Sequence, residues 1–192
     1  MKPIGLRAGT VMLIPHTEEW HRLFDEEQRR LGDAIGTVAL AIEHMGSTAV
    51  RGLAAKPIID IAVAVRDIDD VALCVRPLQS IGYIYRGELG IPGRHFFCAG
   101  EPRTHHLHMS ELTSEHWWRH LLFRDCLRDH PETRGEYEEL KMSLADRYGN
   151  DREAYTEGKS AFIQSLLVAA VSGRYACSFY HSPPYSSPAI AG

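Results

Sequence analysis

Cysteine is sparse in this chain. The four, Cys74, Cys98, Cys126 and Cys177, include no C-x-x-C pair, which leaves zinc-knuckle and thioredoxin-like readings without support. Their wide, irregular spacing reads as buried free thiols in a reducing compartment. Long apolar runs are absent as well. No stretch approaches the roughly eighteen residues that would span a bilayer, so no membrane partner is expected. The opening MKPIGLRAGTVMLIPHTEEW lacks a long apolar h-region and a clear cleavage site, so the default location is cytoplasmic. Positive charge is not in excess: the formal net charge is −4, which excludes general binding along a nucleic-acid backbone. There is no GxxxxGK[ST] motif, which excludes a P-loop kinase, and no internal repeat.

What is present is ordinary globular composition, 44% hydrophobic and 24% charged, in 192 residues. That length points to one domain with or without a tail. Residues 1–171 form the domain. Residues 172–192, ending in the Pro/Ser-rich SFYHSPPYSSPAIAG, read as a disordered tail. Within the domain, Val11–Ile14 reads as a short strand. Thr17 can cap a helix carrying Trp20, Leu23, Phe24 and Leu31. Thr37–His44 is a strand, broken by Gly46-Ser47-Thr48, with a short helix over about Ala49–Ala54. Pro57–Val65 is apolar on both faces and is placed at the centre of the sheet. A helix follows from Asp67 and Asp70, then a strand at Tyr83–Tyr85. Arg94–Cys98 and His105–Met109 form a hairpin across AGEPRT. Three helices follow: one capped by Ser114 and ended by Pro131, one over Glu132–Tyr148, and one from about Asp151 to Val171. The fold class is α/β (α+β), a mixed sheet flanked by helices, with a helical C-terminal half.

Three features carry chemistry. Gly46-Ser47, directly after a strand, lets a phosphate approach the backbone, and a following helix N-terminus would add partial positive charge; a plain strand-to-helix turn is the alternative. Asp60 is the one charged residue in an apolar strand, where a carboxylate is costly unless paired or metal-bound. His106 and His108 share one face of their strand and, with Asp60, could hold a metal; a hydrogen-bonded pair without metal is the alternative. Arg51, Lys56, Arg94, Arg103 and Arg124 are candidate phosphate contacts, and Lys159 a candidate from the last helix. Solvated surface charge is the alternative for Arg94, Arg103 and Arg124, and pairing with Asp60 the alternative for Lys56. Trp117 and Trp118 read as core.

The block Ile42–Ile61, IEHMGSTAVRGLAAKPIIDI, closely resembles the signature of the GrpB family. The likeness continues in Gly82-Tyr83, GELGIPGRHFF, Arg103–His108, Phe123-Arg124-Asp125 and YTEGKSAF, and covers about residues 10 to 168. It implies a nucleotidyltransferase-like fold. It also implies nucleotide phosphates on Gly46, Ser47 and Thr48, assisted by Arg51, Lys56 and Arg103. Asp60 matches the first metal-binding carboxylate of that superfamily, with Glu43 and His44 as further catalytic candidates. The ligand implied is an NTP or another phosphorylated small molecule. The cofactor implied is a divalent metal, Mg or Mn, with Zn or Fe as alternatives, held by Asp60, His106 and His108. The chain departs from the pattern at Ala62, where a second carboxylate should stand. Magnesium prefers oxygen ligands, so one carboxylate with two imidazoles suits it poorly. GrpB-like domains fused to dephospho-CoA kinase imply an alternative, a non-catalytic binding or folding-assistance module. A metal-dependent enzyme of another class is a third reading.

Overall fold

A computed structural model of the chain describes residues 4–175 and residue 177. Most of the Pro/Ser-rich tail expected at 172–192 therefore lies outside the described residues.

Strand β1 (Ala41–Met45) pairs antiparallel with β2 (Ile59–Val65). Beyond β2 lies β5 (His105–Glu111), which runs parallel to it, then β4 (His95–Ala99) and β3 (Tyr83–Tyr85), each antiparallel to its neighbour. The order is β1-β2-β5-β4-β3, so β5 holds the middle of the five-stranded sheet. The expectation that Pro57–Val65 lies at the centre is corrected by one position. β2 is nonetheless flanked on both sides, which accounts for its apolar character on both faces.

Helices cover both faces. Helix α1 (Glu19–Ile35) buries Trp20, Phe24, Leu31 and Ile35 along one stripe. With α2 (Val71–Ser80) it packs on the face formed by Ile59, Ile61, Val63 and Val65. Each fully buried side chain of this size contributes about 1.5–3 kcal/mol. The opposite face, Met45, Ala62 and Ala64, packs on α3 (Glu115–Asp129), α4 (Pro131–Arg147) and α6 (Ser160–Val171). Small alanines on β2 let these helices come close. Ser114 accepts from the Trp117 N–H and caps α3, as its sequence position suggested.

Four expectations are corrected. Val11–Ile14 is not a strand; Ile14 alone makes a bridge, to Ala55. The helix expected over Ala49–Ala54 is a single 3-10 turn at Ser47–Ala49, and Val50 is already extended. The last helix is two, because α5 (Arg152–Glu157) ends at Gly158. A Cβ there would stand 2.5 Å from Leu144, so the glycine lets α5 lie against α4. Finally, Cys126 and Cys177 form a disulfide rather than two thiols. Cys74 and Cys98 are buried free thiols.

Candidate anion-binding cleft

Strand register decides which side chains can meet. In both pair types, partners in register share a face. One row across the sheet is Met45, Asp60, His106 and Cys98; the next is Glu43, Ala62, His108 and Phe96. Asp60, His106 and His108 therefore converge on one face. There they form the floor of a cleft of about 540 Å³, walled by the Gly46-Ser47 turn, α4, α5 and the start of α6.

Asp60 and His106 are bonded directly: Nδ1 of His106 donates to Oδ1 at 2.9 Å. The Asp60 side chain keeps 30% of its exposure, while His106 keeps 6%. Burial alone would raise the Asp60 carboxyl. The His106 hydrogen bond, with the charge of Lys56 behind it, instead holds it well below the usual carboxylate range. Nε2 of His106 is buried without a hydrogen-bond partner. His108 faces elsewhere: its Nδ1 accepts from Arg94 at 3.2 Å. Burial, then the neighbouring His120, pushes the His108 imidazole well down, so it stands neutral beside the guanidinium.

The metal set expected from the sequence does not assemble in this arrangement. Among the described residues, no three His, Cys, Asp or Glu side chains are placed to hold a metal ion. The His106 nitrogen nearest Asp60 is taken up by the carboxylate, and the His108 nitrogen is taken up by a cation. Ala62 offers no oxygen donor, and Glu43, the carboxylate in its row, is held by Arg124.

Cations dominate the walls instead. Lys56, Arg94, Arg103, Lys141, Arg152 and Lys159 line the cleft, and among the described lining residues Asp60 is the one carboxylate. Lys141, 2% exposed, points its ammonium at Ser47 Oγ, 3.3 Å away, and also donates to the Ala54 carbonyl. Burial, then the nearby Lys159 and Lys56, pushes it down to about 7 despite Glu138. Lys56 and Lys159 both approach the ring of buried Tyr155, at 5.3 and 4.5 Å from its centre. Lys159 is pushed down to about 8, by burial first and then by Lys56.

Of the residues expected at the site, Gly46, Ser47, Thr48, Lys56, Asp60, Arg103, His106 and His108 line the cleft. Thr48 commits its hydroxyl to His44 Nε2 at 3.0 Å. Four others stand away from it. His44 is one residue from Met45 and so points to the opposite face, stacked on Phe24 at 4.6 Å. Glu43 accepts from Arg124 at 2.7 Å. Arg51 is at the surface, paired with Glu18 at 2.7 Å. Arg124 itself is buried, bound to Glu43, the His44 carbonyl and Asp125. It locks β1 to α3 and does not line the cleft.

Sequence reasoning missed Lys141, Arg152, Tyr137 and Tyr155. A signal existed for the first. Thr133, Tyr137 and Lys141 fall at i, i+4, i+8 and are the buried positions of α4. A lysine continuing a buried stripe implies a polar cavity at that end.

The family model described as GrpB protein matches residues 10–168. The chain is 38% identical over 170 residues to the Glutamate-rich protein GrpB of Alkalihalophilus pseudofirmus, spanning 85% of this chain and 98% of that one. The crystal structure of conserved protein GrpB from Enterococcus faecalis is similar with a TM-score of 0.79 and 36% identity, over 85% of this chain and 99% of that one. A looser likeness, TM-score 0.48 and 17% identity over 70% of this chain and 43% of that one, is to the structure of Cid1 in complex with its short product ApU.

Proposed function

The chain belongs to the GrpB family, and we propose that its cleft binds a phosphorylated small molecule, in the fullest reading an NTP whose nucleotidyl group passes to a small acceptor. The observation that carries this is the charge balance: six cationic side chains face one carboxylate. Cations crowded in a partly desolvated site are unfavourable unless an anion joins them. The Gly46-Ser47 turn gives a phosphate room to approach, with the Lys141 ammonium directly behind Ser47.

The Asp60–His106 pair supplies a base. Asp60 accepts from Nδ1–H and fixes the tautomer, leaving the Nε2 lone pair free. In the transfer step, an acceptor hydroxyl attacks the α-phosphorus and forms a new P–O bond. Its proton passes to His106 Nε2. The bond from phosphorus to the bridging oxygen breaks, and pyrophosphate leaves with the electron pair. Lysine and arginine charge stabilises the leaving group.

A second reading is favoured by Ala62. With alanine at the second carboxylate position, the cleft can bind a phosphorylated ligand without transforming it, as a binding or folding-assistance module would. Calorimetry with each of the four common NTPs, followed by a pyrophosphate-release assay over a panel of hydroxyl acceptors, separates the two. Binding with release supports transfer, and binding without release supports the module. A chain that binds no NTP in any buffer refutes transfer, and one that also binds neither inorganic phosphate nor inorganic triphosphate refutes both.

A further inference from the structure

We propose that the cleft neutralises a triphosphate with lysine and arginine side chains in place of divalent cations, so that it takes the metal-free polyanion. This rests on the phosphate-ligand reading above and specifies its form.

A two-metal site needs several oxygen donors converging on one spot. The two sheet rows facing the cleft offer two carboxylates, Asp60 and Glu43. One oxygen of Asp60 is bonded to His106, and Glu43 is held by Arg124 outside the cleft. Where further acid should stand, the helical half of the chain sends cations. Lys141 comes from α4, Arg152 from α5, and Lys159 from the break before α6. Among the described residues, none of Lys56, Arg103, Lys141, Arg152 and Lys159 forms an ion pair with a carboxylate. Burial first and then a neighbouring cation weakens proton binding at three of them, Arg152 acting on Lys56, Arg103 on Arg152, and Lys56 with Arg152 on Lys159, so the cluster is mutually repelling as it stands. A divalent cation added here would compound that repulsion, whereas a polyanion relieves it. Lys56 and Lys159 reach the cleft over Tyr155, and Lys141 reaches it at Ser47. Several cations from different segments can engage more than one phosphate of a chain.

The test is calorimetry with ATP and with inorganic triphosphate, in excess EDTA and again in excess Mg²⁺ or Mn²⁺. The expected result is binding of both in EDTA, with Mg²⁺ leaving affinity equal or lower. Lys159→Gln and Lys56→Gln, each shown folded by thermal melting, should weaken metal-free binding about tenfold, the equivalent of about 1.4 kcal/mol. Arg51→Gln, outside the cleft, should leave it unchanged. Binding that vanishes in EDTA and returns with Mg²⁺ or Mn²⁺ overturns this inference and leaves the phosphate-ligand reading standing. Absence of binding in every buffer overturns both. Undiminished affinity in both lysine variants also overturns the inference.

Discussion

A Cβ on Gly46 would stand 2.7 Å from Oδ2 of Asp60. The turn and the carboxylate are thus in direct contact, and the glycine is what allows it. Its backbone, at φ +69° and ψ −172°, lies in a region essentially reserved for glycine. Gly46→Ala should therefore cost about 1–3 kcal/mol from backbone strain, lowering Tm by roughly 2–4 °C per kcal/mol for a chain of this size. The displaced carboxylate should also disturb His106. Melting curves and triphosphate titrations on the variant check both effects; a variant as stable as wild type contradicts the contact.

Asp60→Asn separates charge from shape. Asparagine can still accept from His106, so the loss of stability should be about 1–2 kcal/mol, the difference between a charge-assisted and a neutral hydrogen bond. Triphosphate affinity should hold or rise, because the one acid among the cleft cations is gone. Transfer, if present, should fall at least about a hundredfold, because the base loses its charged partner. Weaker binding in Asp60→Asn would argue that the carboxylate recruits a metal.

The depressed lysines make a pH prediction with a definite sign. Lys141, ordinarily at 10.5, sits at about 7 in the folded chain, faced by Tyr137, Glu138, Lys56 and Lys159. Between those values the unfolded chain holds a proton that the folded chain does not. Stability therefore rises with pH through that window, and the penalty is fully present below it. Anion binding runs the other way and should weaken as pH rises past about 7 to 8, where Lys141 and then Lys159 lose charge. Melting and titration from about pH 6.5 to about pH 9 test the opposed trends, and both should be shallower in Lys141→Met.

The Arg124 network should affect stability and not binding. Glu43→Gln removes a partly exposed acid and should cost under about 1 kcal/mol. Arg124→Met removes two of the hydrogen bonds on nearly buried Asp125, which keeps Arg128 as a partner, and should cost about 1–3 kcal/mol. Triphosphate affinity of folded Glu43→Gln should match wild type. A large loss would place Glu43 in the cleft after all.

Much of the architecture was legible in the chain. The apolar run Pro57–Val65, the paired strands around AGEPRT, Tyr83–Tyr85 and the Ser114 cap all follow from local patterns that tertiary contacts reinforce. Gly46-Ser47, Asp60, His106 and His108 were also legible as neighbours, because spacing of two along a strand puts His106 and His108 on one face. The assignments that shifted depend on distant contacts. His44 looked equivalent to Glu43 as a flank of the turn, yet strand alternation sends it through the sheet to Phe24. Cys126 and Cys177, 51 residues apart, showed no pairing signal in their spacing.

The linear pattern by itself determined the strands, the alternation of their side chains and the acid set among apolar residues, since these depend on neighbours a few positions away. Only the tertiary structure decided the sign of the cleft. Lys141, Arg152 and Lys159 come from α4, α5 and the start of α6, remote in sequence from Asp60, and join Lys56 there. Each reads alone as a solvated surface charge, and their crowding exists only once α4, α5 and the start of α6 close over the sheet.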